Sequence, residues 1–166
     1  MNTDAVVIQK RHVYLMPGQN RETLVNQSLV IGYMDTGAIE RNIDQLPSIQ
    51  WTKLFVQNPD FASSQPNVAI PLREDPFKII MFGGASTNSF ILDTRKDVNL
   101  QAGTARVTPS IANLTQNARF ASKCDMVKAT FGEEHYAIDG HYKVLHVFNE
   151  KDQKWEAQDL QALGIN

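Results

Sequence analysis

A short apolar segment closed by glycine recurs three times in this chain, and that recurrence restricts the fold more than any single residue does. KIIMFGG (78–84) matches HVYLMPG (12–18) upstream and HYAIDG (135–140) downstream, each copy ending in Gly84, Gly18 or Gly140. A second apolar segment follows each one: SFILDT (89–94), LVIGYMDT (29–36) and LHVFNE (145–150). The spacing from Gly84 to Asp93 is nine residues, the same as from Gly140 to Asn149, while the first copy carries an insertion of eight residues, NRETLVNQ (20–27). A further segment precedes each glycine segment, DAVVIQ (4–9), NVAIPLRE (67–74) and DMVKAT (125–130). A fourth follows as QWTKLFVQ (50–57) and KWEAQDL (154–160), with ARVTPSI (105–111) expected in that place in the middle copy.

The segments are short, rich in Val, Ile, Phe and Tyr, and punctuated by Gly, Pro, Asn and Asp, which is the pattern of strands. Helical spacing is weak, and only EAQDLQALG (156–164) suits a short terminal helix or turn. The expectation is therefore an all-β chain of three four-stranded antiparallel units, covering roughly 4–60, 67–115 and 125–162 within a single domain of 1–166. Polar stretches such as NPDFASSQP (58–66) join the units. One such unit cannot bury both faces of its sheet, so the units are expected to pack on one another.

Glycine is favoured where an inner strand turns tightly or needs a positive φ. Asp35, Asp93 and Asn149 end the second strand of each unit, where a side-chain oxygen can accept from the backbone of the next turn. Trp51 and Trp155 stand on the fourth strands as large apolar bodies, and both are expected to be packed between units.

These residues resemble a kelch repeat: four hydrophobic residues, a double glycine, then an aromatic and a tryptophan separated by six residues. Ile79 to Phe82 followed by Gly83 and Gly84 matches the first half, and Phe148 with Trp155 matches the second, Phe replacing the usual Tyr. The match is degenerate. Pro17 and Asp139 replace the leading glycine in the outer copies, and the middle copy lacks a tryptophan. The resemblance implies a segment of a kelch-type β-propeller, a fold whose blades most often serve protein–protein binding.

No residue pattern demands chemistry. Sixteen Lys and Arg against eighteen Asp and Glu leave a net charge of −2, which offers no excess of cations for a phosphate backbone. The single cysteine, Cys124, rules out an internal disulfide framework. No apolar run is long enough to span a bilayer, and the opening MNTDAVVIQKRHVYLM lacks a signal-peptide core, so a cytoplasmic setting, with the cytoskeleton as one location, is expected. His135, His141 and His146 cluster in sequence, but no carboxylate–histidine motif accompanies them, and hairpin or surface histidines are expected rather than a metal site. Gly83 to Asn88 lacks the spacing of a phosphate loop. No catalytic residue, cofactor or metal is assigned.

The function expected is that of a non-catalytic interaction module or scaffold subunit. The alternative is a propeller enzyme of the sugar-isomerase or copper-radical oxidase type. For the oxidase the resemblance implies a Cys–Tyr cofactor with histidine ligands, for which Cys124 and Tyr14, Tyr33, Tyr136 or Tyr142 supply the atoms with no supporting spacing. For the isomerase it implies a cluster of polar catalytic groups at the axis. Three units make an open arc, short of the four to eight blades of a closed ring. A second copy, or blades from another chain or a larger parent sequence, is expected to complete it; the sequence favours the latter, because nothing in the termini suggests a self-complementary closing strand. The repeat glycines are expected to be structural: Gly84→Val should destabilise the fold by a few kcal/mol in thermal unfolding, and an unchanged Tm would refute the strand-to-glycine turn at 78–84.

Overall fold

The computed structural model describes residues 4–16, 30–38, 51–64, 66, 68–83, 86–110, 126–132, 134–139 and 143–164. The fold is all-β in three sheets, one of them curled as a half-barrel. The first sheet is built from β1 (Ala5–Ile8), β2 (His12–Leu15), β3 (Val30–Asp35) and β4 (Thr52–Val56), paired antiparallel in chain order. The second contains β5 (Val68–Pro71), β6 (Lys78–Phe82) and β7 (Phe90–Asp93), with β10 (Thr108–Pro109) antiparallel to β7. The third is the meander β11 (Met126–Phe131), β12 (Glu134–Asp139), β13 (Val144–Asn149) and β14 (Lys154–Asp159). These strands fall where the three repeated units place them.

Two features lie outside that pattern. A hairpin of β8 (Val98–Asn99) and β9 (Thr104–Ala105) leaves the second unit and joins the first sheet, β9 running parallel to β4. The link expected to be irregular contains α1 (Pro59–Ser64). Asn58 caps this helix, its Oδ1 accepting from the amides of Asp60 at 2.9 Å and Phe61 at 3.3 Å, and Pro59 occupies the first helical turn. The turn carries Phe61 into the core, edge-on to Phe90.

The second sheet is the middle layer. Its side chains alternate between two cores, which explains why β6 reads as a continuous apolar run. Ala69, Ile79, Met81, Phe90 and Leu92 pack against Val6, Ile8, Tyr14, Ile31 and Leu54 of the first sheet. Val68, Ile70, Leu72, Ile80 and Phe82 pack against Ala137, Phe148 and Trp155 of the third. Burial pushes the Tyr14 phenol up to about 12, and neighbouring Tyr33 adds to the shift.

The strand-ending residues act as expected. Asp35 Oδ1 accepts from Gly37 N, Asp93 Oδ1 from Arg95 N, and Asn149 Oδ1 from Asp152 N. Asp35 also holds Arg11 in a two-point ion pair, which keeps its carboxyl down at about 2. Gly83 is buried with φ at 85°, a left-handed conformation that suits glycine. Gly18, Gly84 and Gly140 lie outside the described residues, as do Cys124, His141 and Tyr142.

The first strands of the three units, β1, β5 and β11, come together at one place. β5 is an edge strand whose Ala69 turns both its amide and its carbonyl away from β6. The amide donates to Asp4 Oδ2 at 2.9 Å, and the carbonyl accepts from Lys128 Nζ at 2.7 Å. Lys128 and Asp4 are themselves ion-paired at 2.7 Å, so one cluster ties all three sheets. Lys128→Met removes the donor from a buried carbonyl and the counter-ion from Asp4. It should lower stability by about 1–3 kcal/mol in urea unfolding; a variant as stable as the parent would show that the cluster does not join the sheets.

Candidate functional site

Strand order and pairing register give the three sheets corresponding positions, and this correspondence locates the candidate site. Tyr14, Ile80 and Tyr136 stand four residues before the repeat glycines; Met16, Phe82 and Ile138 stand two before. Ile8, Leu72 and Phe131 occupy one further position on the first strands, opposite His12, Lys78 and Glu134. In the first two sheets these residues form the face turned toward the next sheet. We term this the forward face, and the opposite one the rear face.

Two junctions are built forward on rear: first sheet on second, and second on third. In the latter, Trp155 of the third sheet stands edge-on to Phe82 with ring centres 4.5 Å apart, beside Phe148 at 4.9 Å. Phe148 and Trp155 are paired across β13 and β14, and both are buried, as the sequence pattern requires. Around them runs a buried polar seam. Glu150 accepts from the amides of Arg73 at 2.6 Å and Glu74 at 2.9 Å, and pairs with His135, which meets Thr130 Oγ1 at 2.8 Å. Arg73 also donates to the Gly132 carbonyl at 2.7 Å.

His135 and His146, expected as hairpin or surface histidines, lie on the two strands of the β12–β13 hairpin and are buried, at 0% and 1% exposed. Period-two alternation with apolar neighbours was the signal for their burial, because the inward face of a packed sheet carries them whatever their polarity. Glu150 gave no such signal. It occupies the place of Thr36 and Thr94, whose hydroxyls donate to the Arg11 and Phe77 carbonyls in the preceding hairpin turn of their own sheets. Among the described residues no group of three or more His, Cys, Asp or Glu is arranged to hold a metal. Tyr14 is enclosed between the first two sheets, and Tyr33 meets His12 Nδ1 at 2.9 Å.

The rear face of the first sheet and the forward face of the third are covered by no other sheet among the described residues. Phe131 is 80% exposed, whereas Ile8 and Leu72 at its equivalent positions are 2% and 5% exposed. Trp51, in register opposite Met34 as Trp155 is opposite Phe148, is 43% exposed against 4% for Trp155. This corrects the expectation that both tryptophans are packed. Trp51 immediately precedes β4 and has the indole for a junction, but no sheet among the described residues stands in front of it; its ring lies over Gly32, where a Cβ would come within 3.2 Å. Of the seven exposed large hydrophobic residues among those described, Val7, Trp51 and Phe55 lie on the first sheet's rear face and Phe131 and Ile138 on the third sheet's forward face. Only Leu100 and Leu163 lie elsewhere. Among the described residues the exposed apolar surface is thus concentrated at the two ends of the stack, and contiguous patches of this kind mark contact surfaces.

No helix among the described residues is long and apolar enough to cross a membrane. At dilutions where the chain is monomeric, iodide should quench Trp51 and spare Trp155. Trp51→Phe should then leave a blue-shifted, poorly quenched emission, and strong residual quenching would mean that Trp155 is not in the second junction. No family model matches the sequence, and no curated protein matches it.

Proposed function

We propose that this chain is a non-catalytic interaction module, a structural or scaffold subunit built as a kelch-like propeller segment. One observation carries the reading: residues at junction positions are covered in two interfaces and bare at both ends of the stack. Phe131 and Trp51 are the clearest cases. Supporting it are the chain-order meanders, the Asp and Asn side chains that close equivalent turns, and the convergence of β1, β5 and β11, as expected of inner strands around an axis. The partners are protein surfaces, and the setting proposed is a cytoplasmic assembly, the cytoskeleton being one candidate.

Apolar faces of this kind should register in solution. The dilute chain should bind an environment-sensitive hydrophobic dye while retaining cooperative unfolding, and Phe131→Lys combined with Trp51→Lys should abolish most of that signal. A folded chain that binds no dye and associates with nothing would contradict the reading.

A further inference from the structure

We infer that the partner of both bare faces is a second copy of this chain, so that two copies close a ring of six sheets. The inference rests on the interaction reading above and names its partner. Each chain already holds two junctions of forward face on rear face, and it presents one further forward face on the third sheet and one further rear face on the first. The missing half of each junction is therefore present on the same molecule. A two-fold axis satisfies both at once, since each copy gives its forward face to the other's rear face and receives the same in return. Six units fall within the range at which such rings close. The sequence alone favours blades from another chain, but it shows no closing strand at the termini because closure here is face to face and needs none.

The internal junction supplies the contacts. Trp155 of the third sheet packs on Phe82 of the second. Trp51 matches Trp155, and Ile138 matches Phe82, so Trp51 of one copy meets Ile138 of the other, with Phe131 closing the junction near the axis as Ile8 and Leu72 do within the chain. Ile138, at 36% exposure, is smaller than Phe82, and Trp51 is free of any opposing sheet to fill the space. Val7 and Phe55 extend the rear face on either side.

The test is light scattering on the full chain across a concentration series, with Trp51→Asp, Ile138→Asp and Leu163→Asp as variants. Circular dichroism and the buried emission of Trp155 check that each is folded. The expected result is a dimer for the parent and for Leu163→Asp, and monomers for the two face variants. Mixing Trp51→Asp with Ile138→Asp should restore a weaker dimer, because one of the two junctions then joins two unaltered faces. A parent chain that stays monomeric while binding dye overturns the second copy and leaves the interaction reading standing. A monomer that binds no dye overturns both. A dimer indifferent to Trp51→Asp and Ile138→Asp, or a mixture that does not associate, also overturns the pairing.

Discussion

The meeting of Asp4, Ala69 and Lys128 holds the arrangement of the sheets. An edge strand leaves every second residue with an unpaired amide and carbonyl, and on β5 the neighbouring sheets satisfy both at Ala69. The carboxylate comes from the residue preceding β1 and the ammonium from β11, so each sheet contributes one partner. A charge-assisted bond to a backbone group is stronger than a neutral one, and here the two charges also neutralise each other. With their first strands held at one point, the sheets lie face to face, the first on the second and the second on the third. Their faces then stack, and the apolar residues on those faces follow as a consequence.

The sheets correspond in strand order and register but not in detail. At the position after the strand-ending Asp or Asn, threonine donates to a carbonyl in the preceding hairpin turn of its own sheet in the first two sheets, whereas Glu150 in the third reaches across to Arg73 and Glu74. That substitution replaces a tie within one sheet by a tie between sheets, and His135 is buried with it. Breaking such a buried pair by removing one partner is costly, so the second junction is pinned by polar bonds as well as by Phe148 and Trp155. The first junction relies more on aliphatic and tyrosine packing.

Much of this was legible in the sequence because local rules and global packing agree there. Alternating Val, Ile, Phe and Tyr between turn residues placed the strands, and Asp35, Asp93 and Asn149 announced their turns. What escaped depended on partners distant along the chain. α1 is a single capped turn in a polar link, and the burial of Phe61 is decided by Phe90. The parallel pairing of β9 with β4 has no local signature. Trp51 and Trp155 read alike because they occupy like positions, and only the presence of a facing sheet separates them.

Hydrogen exchange at the Ala69 amide tests the convergence of the three sheets most directly. As a free edge amide it would exchange within the range of fraying strands. Held by Asp4, with Lys128 across the carbonyl, it should exchange as slowly as the amides in the centre of β6, and Lys128→Met should speed it selectively. Fast exchange at Ala69 in the folded parent chain would contradict the joining of the sheets at this point.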